Sequence, residues 1–224
     1  MDKETTQRIK VAEAAANKYI ENQRFTISSL SKELKMKPET IYSLFPNRSS
    51  ILRYYYTSRV LICRDQNQSI DGYDNFSLSE KLSNFFLTLI DLFGDKREFV
   101  LATYKEFVVC SVTRNKFEPE FKDEIRNIFL SDDNIANSSR IFFNSILWNA
   151  IYLQFHVLIK FWKEDESRNY ENTMALIDKW STFTEELFYN KVLDKGFDFG
   201  KFLFYRSPLG KCAMERGSEQ RPSV

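Results

Sequence analysis

The segment from residue 26 to residue 52 constrains the fold of this chain more than any other. Its apolar residues recur at helical spacing within each half of the segment, and they are Ile27, Leu30, Leu34, Ile41, Leu44 and Phe45. Pro38 fits the first position of the second helix, where the missing N–H of proline costs nothing. The pattern therefore predicts two short helices joined by a tight connection, which is a helix-turn-helix.

The second helix of this motif is predicted to keep a polar face uncovered. With its apolar side packed inward, it presents outward Lys37, Glu39, Thr40, Tyr42 and Ser43. A short polar row of this kind enters the major groove of DNA. The side chains predicted to contact bases are Thr40, Tyr42 and Ser43. Those predicted to contact phosphates, which position a protein without reading sequence, are Thr26, Lys35, Lys37, Tyr42 and Arg48.

Together with a helix predicted at residues 8–21, this motif resembles the DNA-binding domain of the TetR/AcrR family of bacterial transcriptional regulators. The matching positions are Ala12, Ala15, Ala16, Phe25, Thr26, Leu30, Ser31, Thr40, Ile41, Tyr42, Phe45, Pro46, Asn47, Arg48, Ile51 and Leu52. The resemblance covers about the first 60 residues. It implies an all-α fold with a small helix-turn-helix domain before a larger ligand-binding and dimerisation domain. It also implies a ligand-responsive homodimer that represses transcription from a palindromic operator.

Two lysines depart from the family pattern at the turn of the motif. Lys35 stands where the family usually has glycine, which relieves a left-handed backbone position. Lys37 stands where the family usually has Ser or Thr, whose hydroxyl would cap the second helix. The turn is therefore expected to be less favourable and the helix uncapped, while the two lysines add positive charge where phosphates would lie.

Charge is distributed unevenly along the chain. Residues 1–64 carry 12 Lys or Arg against 6 Asp or Glu, whereas residues 65–224 carry 20 against 25. The basic excess coincides with the helix-turn-helix, and such a field favours a polyanion at one end of the molecule. The alternative interpretation is an ordinary solvated basic face.

The scarcity of glycine and proline, with 6 and 5 in 224 residues, and the helical periodicity of the long segments predict an all-α protein. Asn47 is a predicted N-cap, and Ser77 with Glu80 is a predicted capping box. The predicted helices cover residues 5–21, the two motif helices, then 48–64, 77–93, 96–113, 120–130, 138–163 and 169–193. The predicted domains are 1–64 for DNA binding and 65–206 for ligand binding and dimerisation, with a disordered tail at 207–224.

The predicted helix at residues 138–163 is apolar around most of its circumference, and such a helix must bury more than one face. One face would pack in the core and another against a partner subunit. The family resemblance implies the same arrangement, because in TetR-like proteins the last two long helices pair with their symmetry mates. A central core helix in a monomer is the alternative.

Enzyme chemistry finds little support in this sequence. His156 is the only histidine, which rules out a His-rich metal site, and no phosphate-cradling glycine loop occurs. We therefore predict a protein that is not an enzyme and needs no cofactor or metal. The three widely spaced cysteines form no disulfide framework, and no signal peptide or membrane span is evident. A reducing cytoplasm fits these features best.

Aromatic side chains with polar tips suggest a sensor site in the second domain. The candidates for lining a cavity are Tyr104, Phe107, Trp148, Tyr152 and His156, and such a lining suits an apolar or aromatic small molecule. The alternative is that they simply fill the core. A rival function also stays open, namely a lipid- or small-molecule-binding protein that keeps the TetR-like fold without binding DNA.

Overall fold

The computed structural model describes residues 1–111, 116–136 and 139–189 together with Gly196, and these residues contain helices and no strand. The nine α-helices in this part of the chain are α1 (Lys3–Glu21), α2 (Ile27–Leu34), α3 (Pro38–Leu44), α4 (Arg48–Gln68), α5 (Leu78–Gly94), α6 (Arg97–Tyr104), α7 (Phe117–Leu130), α8 (Ser145–Glu164) and α9 (Glu171–Tyr189). The prediction of an all-α fold is confirmed. The predicted tail at 207–224 lies outside the described residues.

Two of the helix starts are fixed by the caps that the sequence predicts. The Asn47 side chain accepts a hydrogen bond from the backbone N–H of Ser50 at 2.9 Å, at the start of α4. Ser77 and Glu80 form a reciprocal capping box at the start of α5, in which the Ser77 N–H donates to the Glu80 carboxylate at 2.8 Å. Each cap satisfies backbone donors that a helix leaves without an intrahelical partner.

The helix predicted at residues 138–163 is in fact broken near its start, so that prediction is wrong in its first turns. Residues Ser139–Phe142 form a short 3₁₀ turn, and α8 begins only at Ser145. Asn144 has an extended backbone, and its side-chain oxygen accepts from the N–H of Ile146 at 2.9 Å. Because Asn caps helices by this bond, the chain restarts here rather than continuing.

The helix predicted at residues 96–113 also differs from the structure. α6 ends at Tyr104, and Lys105–Val109 wind more widely as a π-helical turn that closes with a bond from the Cys110 N–H to the Lys105 carbonyl. Wide turns of this kind occur mostly as single turns and frequently at functional sites. The change of winding turns residues after Tyr104 onto a different face from that of a continuous helix.

The first half of the chain packs through small residues. Ala12, Ala15 and Ala16 on α1 are fully buried, and α1 lies against α4, which also contacts α5 and α7. Small side chains at a helix contact allow the two backbones to approach closely. α4 therefore runs from the helix-turn-helix into the second half without interruption and is part of both.

The core of the second half is built from aromatic rings. Phe121 and Phe155 lie 4.8 Å apart between ring centroids, and Phe86, Phe93 and Phe117 pack around them. Tilted and edge-on ring pairs such as these add to the free energy gained from burial alone. Most of the described phenylalanines in this half of the chain are buried and thus have a packing role.

Large apolar side chains are also left on the outside of the last two helices. We call this surface the apolar face, and it comprises Ile146, Leu153, Val157 and Phe161 on α8 with Leu176 and Phe183 on α9. Contiguous exposed apolar surface of this kind marks an interaction site in a protein dissolved in water. None of the described helices is long and apolar enough to cross a lipid bilayer.

Candidate nucleic-acid interface

The helix-turn-helix is held in place by a small buried core beneath α2 and α3. Leu30 on α2 and Ile41 on α3 are fully buried, and Phe45 at the end of α3 is nearly so. Ile41 is the one fully buried residue of α3, so the opposite side of this short helix faces solvent. The packing predicted from helical spacing is therefore present.

The turn between α2 and α3 contains the left-handed residue that the sequence suggested. Lys35 has φ 52° and ψ 39°, and its N–H bonds back to the last turn of α2. A left-handed conformation at a residue other than glycine costs on the order of 1 kcal/mol. This strain places a lysine side chain at the corner of the motif, where it is exposed.

Lys37 precedes α3 and leaves that helix without a side-chain cap, as expected from the missing hydroxyl. Pro38 occupies the first helical position, and the Lys37 side chain is exposed and makes no hydrogen bond to the helix. Pro38 has no N–H, and the Thr40 N–H donates to the Lys37 carbonyl at 3.0 Å, so the Glu39 N–H and the Lys37 ammonium carry the positive charge at this helix start. An anion is favoured at such a helix start.

The uncovered side of α3 carries the side chains predicted to contact DNA. Tyr42 is 55% exposed and Ser43 is exposed, while Thr40 is half-buried. The Ser43 hydroxyl donates to the Thr40 carbonyl at 2.8 Å and so keeps an oxygen free to accept. The three predicted base-contact residues thus lie on one short helix, and Tyr42 and Ser43 are on its exposed side.

Two residues predicted to contact phosphates already have structural roles inside the motif. Thr26 caps α2, since its hydroxyl accepts from the Ser29 N–H at 3.1 Å. The Arg48 guanidinium donates to the Gln23 carbonyl and lies over the Phe25 ring, 5.2 Å from its centroid. Changing either side chain would therefore disturb the motif itself, so Lys35 and Lys37 are cleaner probes of phosphate contact.

Three of the predicted ligand-binding residues come together where α6 meets α8. The Tyr104 hydroxyl lies 2.7 Å from Nδ1 of His156, and the Tyr152 ring lies 4.4 Å from the His156 ring between centroids. Burial lowers the pKa of His156 and raises the pKa of Tyr104 well above its usual value. A neutral imidazole that accepts the tyrosine proton in a hydrogen bond is consistent with both shifts.

The other two predicted ligand-binding residues lie elsewhere. Trp148 packs against Phe129 and Phe143, each 5.6 Å away between centroids, and Phe107 is buried beside the Arg53 guanidinium. Trp148 precedes Tyr152 by one helical turn, but its ring enters a different aromatic cluster. The structure therefore does not bring the five candidates into one lining.

An open apolar groove of about 170 Å³ lies between α8 and α9, on the apolar face. Its lining consists of Phe86, Gln154, Phe155, Val157, Leu158, Leu176, Ile177 and Trp180. None of the five predicted ligand-binding residues is among them.

Contacts that the sequence did not indicate join α6 to the helix-turn-helix half. Phe99 on α6 packs against Tyr19 of α1 and Tyr55 of α4, at 5.5 and 4.9 Å between centroids. Tyr56 of α4 and Thr103 of α6 share a buried hydrogen bond of 2.7 Å between their hydroxyls. A displacement of α6 would therefore be transmitted directly to α1 and α4.

Within the described ranges, no three His, Cys, Asp or Glu side chains meet in a way that would hold a metal ion. The sequence profile of the tetracyclin repressor-like C-terminal domain matches residues 81–203, which is more than half of the chain. No curated protein matches the chain significantly. The profile covers the half that lies outside the helix-turn-helix, so it is independent of the resemblance carried by the motif.

Proposed function

Because this chain belongs to the tetracyclin repressor-like family of regulators, we propose that it is a DNA-binding repressor that acts as a cytoplasmic homodimer on a palindromic operator. The observation that carries the proposal is the uncovered polar face of α3. In a chain whose second half matches the family, that face has the position and chemistry of a recognition helix.

The electrostatics of the first half support binding to a polyanion. Lys35 and Lys37 are exposed on either side of the turn, and neither makes an ion pair in the part of the chain that the structure describes. The start of α3, which has no side-chain cap, adds the partial positive charge of a helix N-terminus. Phosphate contacts on both sides of the groove would anchor α3 while Thr40, Tyr42 and Ser43 meet base edges.

The apolar face of α8 and α9 supports dimerisation. Its side chains would be covered when two copies of the chain pair about a twofold axis, because the same patch then meets itself. A dimer would present two α3 helices to two half-sites of one operator, and the symmetry of the protein would match that of a palindrome.

The contacts of α6 support a response to an effector. An apolar or aromatic small molecule that binds beside Tyr104, Tyr152 and His156 would act on the helix that contacts both α1 and α4. If that molecule binds better to a dimer in which the spacing of the two α3 helices does not match the operator, it lowers the affinity of the dimer for the operator. Repression is then relieved by the effector.

Selection of bound fragments from random duplex DNA tests the proposal, followed by titration of the selected operator at several salt concentrations. We expect Lys37→Ala to flatten the dependence of log affinity on log salt by about one unit, because one phosphate contact is lost. Lys10→Ala is the matched control, since Lys10 is exposed on α1 and lies outside the motif.

Failure to select any sequence, with binding equal for wild type and both variants, would contradict the DNA-binding role. It would favour the rival function, a lipid- or small-molecule-binding protein that retains the fold.

A further inference from the structure

A recess between the helix-turn-helix half and the start of α7 is lined by three cationic side chains. This recess, which we call the basic notch, has a volume of about 160 Å³ and receives Arg8 from α1, Arg53 from α4 and Lys116 from the residue before α7. No acidic residue is among the described residues that line it. Cationic residues from three separate elements thus line one small recess.

Most of this positive charge is not neutralised by the protein. Lys116 is exposed and makes no ion pair with any described residue. The Nε atom of Arg53 is buried and has no hydrogen-bond partner in the described structure. Arg8 has one carboxylate partner, Glu4, whose Oε1 lies 3.0 Å from its Nε.

An adjoining polar groove shares Arg8 and Lys116 with the basic notch, and the carboxylates that line it are already engaged. Glu4 pairs with Arg8, and Asp65 pairs with the N-terminal ammonium. Asp2 caps α1 by accepting from the Thr5 N–H at 2.8 Å. Glu120 pairs with Arg64 at 3.2 Å. Like charges held in one recess repel each other, and the repulsion is stronger where solvent is partly excluded. An anion placed between them would remove that repulsion.

We propose that the basic notch binds a compact phosphate-bearing anion, either inorganic phosphate or the phosphate group of a small metabolite. Guanidinium groups match the oxygens of a phosphate in paired hydrogen bonds, and an ammonium adds a point charge. Tyr54 and Thr57, two residues with hydroxyl groups, also line the notch. A single water molecule needs a cavity of only about 10–15 Å³. The recess is about ten times larger, so it has room for a phosphate group.

The notch lies away from Tyr42, one of the side chains predicted to contact DNA. Leu44 lines the notch, whereas Tyr42 belongs to the exposed face of α3, and two residues correspond to roughly 200° around a helix. The notch therefore opens on the side of α3 away from Tyr42, about 40° around the helix from Thr40. Lys116, moreover, comes from the second half of the chain, so a bound anion would join that half to α1 and α4.

Calorimetric titration of the full chain with inorganic phosphate, in the absence of DNA, tests the site. Sodium chloride at matched ionic strength serves as the reference for unspecific screening. We expect saturable binding of phosphate that Lys116→Ala weakens about tenfold or more, because one charge-assisted contact is lost. Lys116 is exposed, so the variant is expected to fold, and circular dichroism checks this. Lys10→Ala removes an equal charge outside the notch and should leave phosphate affinity unchanged.

Two results would overturn the proposal. The first is a titration without specific binding, in which phosphate gives the same signal as chloride at equal ionic strength, or in which Lys116→Ala and Lys10→Ala lose phosphate affinity equally. The second is a chain that binds no phosphate but whose affinity for duplex DNA falls in Lys116→Ala, which would make Lys116 a contact to the DNA backbone. Because the phosphate titration contains no DNA, its outcome is independent of whether the chain is a repressor.

Discussion

The two sides of α8 have the same kind of side chain and opposite environments. The inner side carries Ile151, Phe155 and Ile159, which are buried, and Phe155 packs against rings of α5 and α7. The outer side carries Leu153 and Val157, which are mostly exposed. Periodicity alone does not distinguish these two sides, because both are apolar. The structure does, since it shows which side the rest of the chain covers.

This difference teaches that one helix can serve two purposes. The inner side stabilises the subunit by burial, while the outer side has apolar surface that only another molecule can cover. Changes on the inner side should therefore lower the stability of the subunit, and changes on the outer side should lower its association with a second copy.

Removal of an inner ring is expected to have the largest effect. Phe155 is 1% exposed and contacts Phe86 and Phe121, so Phe155→Ala should lower the free energy of unfolding by about 3–5 kcal/mol. Leu130, which is 52% exposed on α7, provides the control, and Leu130→Ala should change stability by no more than about 0.5 kcal/mol. Urea unfolding at one fixed protein concentration measures both. Equal losses of stability in the two variants would show that burial does not account for the effect of the Phe155 substitution.

A charge on the outer side should break the dimer without unfolding the subunit. Leu153 is 63% exposed, and Leu153→Glu would bury one carboxylate from each subunit in the interface. We expect dimer association to weaken by about 2 kcal/mol or more, which is roughly thirtyfold in dissociation constant. Sedimentation equilibrium measures it, with Leu130→Glu as the same substitution at an exposed site away from the apolar face. A wild-type chain that is monomeric at micromolar concentration would remove the proposed role of this side.

His156 lies between the inner and outer sides of α8, and the loss of its hydrogen bond to Tyr104 should have a moderate effect on stability. Tyr104→Phe removes the hydroxyl that lies 2.7 Å from Nδ1 of His156, and we expect a loss of about 1 kcal/mol of stability. Tyr152 lies against the same histidine through its ring, so Tyr152→Phe keeps the ring contact and should be nearly neutral. Thermal unfolding of the two variants compares them directly. A larger loss of stability in Tyr152→Phe would show that the hydroxyl of Tyr152, rather than that of Tyr104, stabilises the contact with His156.

The smallest expected effect is the dependence of stability on pH that arises from His156. Burial lowers the pKa of His156 from 6.5, so the unfolded chain binds more protons than the folded chain between the lowered pKa and 6.5. The stability contributed by the neutral imidazole is therefore present above pH 6.5 and declines as pH falls through the lowered pKa. Unfolding midpoints at pH 7 and pH 5 test this, and His156→Gln should reduce the difference. A wild-type midpoint that rises at pH 5 would contradict the assigned direction.

Local features of the fold could be predicted from the sequence because they depend on residues a few positions apart. The caps at Asn47 and Ser77 involve partners three positions away, and the left-handed Lys35 occupies a turn of known shape. The helical period does not indicate the break at Asn144, because the apolar residues at 141–143 continue it. Periodicity reports which side of a helix is apolar, and it does not report whether a side-chain amide caps the next turn.

The candidate sites required the tertiary structure, because their residues are far apart in the chain. Arg48 donates to the carbonyl of Gln23, 25 positions away, so its role in holding the motif could not be seen in the sequence. Lys116 meets Arg8 and Arg53 only after α7 has packed beside α4. The exposed side of α3, in contrast, followed from spacing alone, since it needed only the inner side of the same helix to be apolar.

The uninterrupted course of α4 has a mechanical consequence. A helix of 21 residues is about 31 Å long, and a tilt of about 5° at one end displaces the other by nearly 3 Å. A hydrogen bond to a base edge tolerates only a few tenths of an ångström. A rotation of α4 that barely moves the aromatic core would therefore shift its helix-turn-helix end by several times the tolerance of such a hydrogen bond. A small tilt of one rigid helix would then be enough to break contacts to base edges, without a large rearrangement of the subunit.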